Sequence, residues 1–186
     1  MTTVLAIYDR LAMALRAAAP ELLPLLARLC FAGVLAGYYW SSALTKLEGP
    51  FTPSVGAYAQ IFPRALEAAG YDASALGIWA WLVVLAGSYA EFILPALLIL
   101  GAFTRLAALG MIGFIVVQSL TDIVGHGVDA GTIGRWFDTV PDALIVDQRA
   151  LWLLPLVVVL SLGAGRISVD ALLRHRRPFA GKPAVS

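Results

Sequence analysis

The run from Ile78 to Leu100 contains a single formally charged residue, Glu91, and it is long enough to cross a bilayer, since roughly 20 apolar residues span the hydrocarbon. A carboxylate at membrane depth costs about 3 kcal/mol or more unless it is neutralised, paired or wetted, so such a residue faces the interior of a helix bundle and often marks function. The rest of the chain must therefore supply its partner. Composition agrees with a membrane protein: 60% of residues are hydrophobic and 13% charged, against about 25% charged in soluble domains. At 186 residues the chain reads as one domain, and its net charge of +1 argues against a nucleic-acid surface. The single cysteine, Cys30, sits in an apolar run and reads as a small buried hydrophobe, which excludes a disulfide framework or a C-x-x-C redox pair.

Four spans are expected: Leu22 to Leu44, Ile78 to Leu100, Leu106 to about Leu120, and a shorter one from Leu151 to about Gly163. The fourth crosses if Arg149 snorkels outward and the bilayer thins locally. Pro95 and Pro155 lie inside spans and each frees a carbonyl that a neighbour must satisfy. The first twenty residues do not read as a cleaved signal, because Asp9, Arg10 and Arg16 interrupt them. Val4, Leu5, Tyr8, Leu11, Ala12 and Leu15 recur at helical spacing instead, predicting an amphipathic helix on the membrane surface that Pro20 closes.

The fold class is thus all-α: a polytopic membrane protein with a four-transmembrane-helix bundle and an N-terminal interfacial amphipathic helix. Residues 1–20 form that helix, 21–174 the membrane domain with long outer loops at 48–75 and 122–150, and 175–186 a basic tail. Nine Lys and Arg residues fall on the side of the termini: Arg10, Arg16, Arg28, Arg105, Arg166, Arg174, Arg176, Arg177 and Lys182. Four, Lys46, Arg64, Arg135 and Arg149, fall on the other. The positive-inside rule then puts both termini and the basic tail in the cytoplasm and the two loops outside. Trp40, Trp79, Trp81, Trp136 and Trp152 all fall toward the outer face, as one aromatic belt would.

Depth follows at 1.5 Å per residue. Arg28 lies roughly 9 Å above the cytoplasmic start of the first span and Glu91 roughly 14 Å above the cytoplasmic end of the second. This predicts an Arg28–Glu91 ion pair, either fixing helix register or forming a polar pocket for a ligand or proton to which Tyr38 and Ser88 add hydroxyls. Tyr39, Ser41, Ser42 and Tyr89 are further hydroxyls available for interhelical bonds.

A second, outer cluster is expected where Gln118, Asp122 and His126 succeed one another at four-residue spacing and share a helix face. Lys46, at the outer end of the first span, is a candidate counter-ion for Asp122. That cluster either anchors helix ends at the headgroups or hydrogen-bonds a quinone head group or a small anion. Gly33 and Gly37 form G-x-x-x-G, a frequent motif that permits close helix approach and leaves a homo-oligomer open.

Several chemistries are excluded. His126 and His175 fall on opposite sides of the membrane, so no bis-histidine haem is expected, and no metal-ligand spacing, nucleotide fingerprint or nucleophile with its base is present. No catalytic residue is assigned; alone, the chain is not expected to be an enzyme.

Three motifs in order resemble the DoxX family. They are Arg28-Leu29 with Gly33 and then Ser42-Ala43-Leu44-Thr45-Lys46-Leu47; the stretch Ala90-Glu91-Phe92-Ile93-Leu94-Pro95 continuing to Leu109; and Gly163-Ala164-Gly165-Arg166-Ile167-Ser168-Val169-Asp170 continuing to Leu173. They cover about residues 25 to 174. The resemblance implies a small four-helix bundle in a bacterial or archaeal cytoplasmic (inner) membrane. It implies association with membrane or periplasmic redox proteins, as in a thiosulfate:quinone oxidoreductase or a mycobacterial oxidative-stress complex, or with metal-stress proteins. Glu91, Arg28 and Lys46 match polar positions of that family, and the outer loops exceed those of its shorter members. Two functions follow: a subunit that holds a quinone between helices with Glu91 or Asp122 handling protons, or a non-catalytic anchor or scaffold of a larger redox assembly.

Overall fold

A computed structural model describes residues 2–175; the basic tail lies outside these but for His175. Among the described residues four helical stretches are long and apolar enough to cross a membrane: Thr3–Leu44, Ala73–Leu100, Thr104–His126 and Leu144–Leu162. They form the expected bundle of a multi-pass membrane protein. The first stretch is α1 (Thr2–Phe31), a π-helical turn (Ala32–Ala36) and α2 (Gly37–Leu44). The others are built on α5 (Gly77–Leu100), α6 (Thr104–Leu120) and α8 (Arg149–Leu162). Helix α1 packs on α8, α8 on α6, α6 on α5 and α5 on α2, which closes the ring. Phe31, Leu35, Tyr39, Met111, Ile115 and Leu156 fill its centre.

The expected break at Pro20 is absent, because α1 runs unbroken through both Pro20 and Pro24. A proline costs a helix one hydrogen bond to the carbonyl four residues back. The Pro24 ring is fully buried and the turn at Gly165 lies against it, so packing overrides the local preference there; Pro20 is exposed, and packing does not account for the helix running through it. The apolar residues before Pro20 gain no cover from the bundle: Val4, Tyr8, Leu11 and Leu15 are all exposed.

The loops are folded. The link after α2 makes a small antiparallel hairpin, β1 (Leu47–Gly49) with β2 (Thr52–Pro53), the one departure from an all-α chain among the described residues. Two short helices, α3 (Val55–Ile61) and α4 (Pro63–Ala68), follow. Ala57, Tyr58 and Leu66 pack against Ala80 and Val84 of α5 in a second apolar cluster. Ser54 caps α3 through the Ala57 N–H and donates its own hydroxyl to the Thr45 carbonyl at 2.9 Å, pinning the hairpin to the end of α2. The second loop holds α7 (Ala130–Ile133) between a π-helical extension of α6 (Thr121–His126) and a π-helical turn (Leu144–Gln148) leading into α8. That turn lengthens the fourth span beyond its expected start at Leu151.

Candidate functional site

Glu91 is 4% exposed and pairs with Lys46, whose Nζ lies 2.5 Å from Glu91 Oε1. The same ammonium donates to Ser42 Oγ at 2.8 Å. Lys46 lies just past α2, in the turn whose carbonyl accepts from the Ser54 N–H, and the hairpin folds its side chain back into the bundle. Pro95, four residues beyond Glu91, has no N–H for the Glu91 carbonyl, and the Trp40 indole N–H donates to the adjacent Phe92 carbonyl at 3.3 Å.

The expected Arg28–Glu91 pair does not form. Arg28 donates from Nε to the Leu98 carbonyl at 2.9 Å, from Nη2 to Ile99, and from Nη1 to Ala164 and Ile167. The carbonyls of the last helical turn have no helical partner and carry the negative end of the helix dipole. They answer a buried guanidinium at lower cost than drawing Glu91 down by seven residues, roughly 10 Å along α5. Gly101 makes room for it: φ is +68° and an added Cβ would lie 2.5 Å from Ser168 Cβ and 2.9 Å from the guanidinium.

A helix beyond that turn ties off this end of the bundle: α9 (Val169–His175) places Asp170 over the start of α6. The N–H groups of Phe103 and Thr104 donate to its carboxylate at 2.8 and 2.9 Å, and the Thr104 hydroxyl donates at 2.6 Å. Burial pushes this carboxyl up, but those hydrogen bonds together with the Arg174 charge outweigh it and hold Asp170 below the usual carboxylate range.

The expected Lys46–Asp122 pair is replaced as well. Asp122 Oδ2 takes Arg149 Nη2 at 2.5 Å, and Arg149 Nη1 donates to Ser119 Oγ at 3.0 Å. Arg149 does not snorkel outward; it is 3% exposed and points inward, because the turn at Leu144–Gln148 sets it inside the span rather than at its edge.

Both pairs face one cavity of about 460 Å³, between α5 and α6 and near the loop end of the bundle. Lys46 and Glu91 form one part of its wall, and Gln118, Asp122 and Arg149 another. Tyr38 contributes a hydroxyl that accepts from Gln118 Nε2 at 2.8 Å, and the Tyr39 hydroxyl approaches Gln118 Oε1 at 3.5 Å. Leu94, Phe114 and Val117 make the wall apolar, and Gly87, Gly110 and Gly113 open it. A Cβ at Gly113 would meet nothing within 4 Å. At the mouth, His126 Nε2 lies 3.0 Å from the Gln60 carbonyl. Two atoms of these ion pairs lack a partner, Glu91 Oε2 and Arg149 Nε, and both are sealed inside the protein. A native structure leaves few such atoms, and each asks for an explanation.

Of the residues singled out from sequence, Glu91, Lys46, Tyr38, Gln118, Asp122 and His126 meet at this cavity, while Arg28 and Ser88 do not. The Ser88 hydroxyl bonds back to the Val84 carbonyl at 2.8 Å, which satisfies it within its own helix. Arg149 and Ser119 were not anticipated. The available signal was an arginine closely preceding a short apolar run, which also fits an arginine at the headgroups.

Comparison with curated proteins and with solved structures gives no match. The DoxX family model matches residues 23–122, a segment holding both acids of the cavity, Lys46 and Gln118, but not Arg149. That segment is more than half of the 186 residues, and on it the chain belongs to the DoxX family.

Proposed function

We propose that this chain is a subunit of a redox assembly in the bacterial cytoplasmic membrane, and that its cavity seats the head group of a lipid-soluble quinone. One observation carries the reading: two buried ion pairs, Lys46–Glu91 and Asp122–Arg149, border one largely apolar cavity. Its size falls in the range of small-molecule sites. Val83, Gly113 and Val117 of the wall are exposed on the flank of the bundle, where a ligand can enter from lipid.

A bound quinone supplies two-electron, two-proton chemistry. The chain's own residues hold it and manage the proton. Lys46 holds Glu91 through Oε1, and Glu91 is the acid of the wall that takes or returns a proton. Arg149, held by Asp122 and Ser119, adds a fixed positive charge to the wall. Leu94 and Phe114 keep water from the head group. The excess of Lys and Arg at the end of the termini supports a cytoplasmic position for that end, with the mouth at His126 opening to the outside.

Native mass spectrometry of the chain purified from its membrane should show a quinone-sized adduct that Gly113→Leu removes. A clean apo-protein, or an adduct that Gly113→Leu leaves in place, would refute the reading. A second role as an anchor has one observation in its favour: Phe137, at the tip of the second loop, is wholly exposed beside Trp136, as a contact for a redox partner would be. Such partners, and any homo-oligomer through Gly33 and Gly37, would appear in the same spectra as intact complexes.

A further inference from the structure

We infer that the chain pairs with a second copy of itself along α1, through a parallel helix seam that begins beyond the bundle and continues down the first span. This surface is remote from the cavity, and the pairing holds whatever the cavity binds.

At this end the bundle stops at the level of Glu21. The Glu21 carboxylate pairs with Arg166, in the turn after α8, at 3.0 Å, and Pro24 packs against Gly165 of the same turn. Residues 2–20 carry α1 past that level, by about 28 Å at 1.5 Å per residue. Val4, Tyr8, Leu11 and Leu15 are 58–71% exposed there. A lone helix of this length is marginal in water even without such an apolar face, so something covers it.

The spacing says what. Val4, Tyr8, Leu11 and Leu15 alternate steps of four and three, and the same count reaches Ala18, Leu22 and, one heptad further, Leu29. That repeat holds one face of a helix against a parallel companion. Leu22 and Leu29, inside the first span, are exposed as well, so one uncovered seam runs from beyond the bundle down into it. A bilayer surface would cover the upper part only if the helix broke near Pro20 and lay flat, and α1 is unbroken there. A companion α1 covers both parts at once.

Two copies share one membrane and one orientation, so their first helices are parallel. A two-fold axis along the membrane normal then sets each seam residue against its own counterpart. Such a pairing fails where like charges meet. Asp9, Arg10 and Arg16 are the charges of residues 2–20, and at about 100° per residue all three lie roughly 120° or more round the helix from the seam. Pro20 also points away, about 160° from the seam. A companion helix there supplies the packing that the bundle does not give to α1 at Pro20.

Single cysteines placed in a Cys30→Ala chain and oxidised with copper phenanthroline in the protein's own membranes test the seam. A disulfide forms only where Cα atoms come within about 7 Å. Leu11→Cys and Leu15→Cys should run mostly at twice the mass of the chain on non-reducing gels. Met13→Cys, about 180° from the seam, should stay single. Linkage at Met13 as ready as at the seam positions overturns the inference, and so does a seam that does not link, which would leave the bilayer as the cover.

Leu11→Glu gives an independent measurement, because residues 2–20 lie beyond the bundle and the variant keeps its core. Native mass spectrometry from lipid nanodiscs should show a dimer of the unaltered chain that Leu11→Glu splits into monomers with an unchanged melt. A monomeric unaltered chain, or a dimer that survives Leu11→Glu, overturns the pairing and leaves the reading of the cavity intact.

Discussion

Two buried cations, Arg28 on α1 and Lys46 in the turn just past α2, have opposite fates. Arg28, 7% exposed, gives four hydrogen bonds to four backbone carbonyls on two segments. It welds the end of α1, the end of α5 and the turn after α8. Lys46, 5% exposed, meets one oxygen of an acid, and the pair borders a cavity. Where polar groups are saturated the protein is built for rigidity. Where ion pairs border open space, the protein has room to receive something. The difference teaches that membrane-buried charge alone does not identify a site; charge that borders a cavity does.

The largest effect that would test the contrast is at the saturated end. Arg28→Ala strands four carbonyls and should cost on the order of 4 kcal/mol, seen as a large loss of folded protein in detergent thermal-melt assays. A small loss would break the comparison. Lys46→Met leaves Glu91 without its counter-ion and should cost about 3 kcal/mol by the same assay.

Asp170→Asn should cost about 1 kcal/mol, as a weakened helix cap does. A carboxyl held below its unfolded value contributes stability that is complete above that value and is lost as pH falls through its folded one. The unaltered chain should therefore lose stability below about pH 4 more steeply than Asp170→Asn does, checked by melting across pH 2.5 to 6, roughly the range in which carboxylates titrate.

Joint replacement, Lys46→Met with Glu91→Leu, should change stability by less than about 1 kcal/mol, because a buried ion pair exchanged whole for apolar side chains is nearly neutral, while ligand binding is lost. The smallest stability effect belongs to Gly113→Leu. The side chain enters open space, and leucine gains up to about 1 kcal/mol of helix propensity over glycine, so the melt should hold or rise slightly while the ligand is excluded. Together the last two separate the site from the scaffold.

Much of this arrangement was legible in the residues. Long apolar runs gave the four spans because a bilayer admits few other solutions, and Glu91 stood out because charge in hydrocarbon demands a reason. The spacing of Gln118, Asp122 and His126 survived the π-helical widening of α6, since all three still face the cavity.

Partner choice was not legible. The depth arithmetic brought Arg28 and Glu91 to similar levels but treated side chains as the only partners. The carbonyls of Leu98 and Ile99 have no signature in side-chain chemistry. Nor could a hairpin that folds Lys46 inward, or a π-helical turn that draws Arg149 into the bundle, be read from hydropathy.

The sequence by itself determined that this chain spans a membrane four times and buries charge while doing so, because transfer free energies depend on residue type and run length alone. Only the tertiary structure decided which charge meets which partner and which atoms are left over. Those outcomes depend on how helices rotate, where turns end and what backbone groups come within about 3 Å, and these are properties of packing rather than of any one segment.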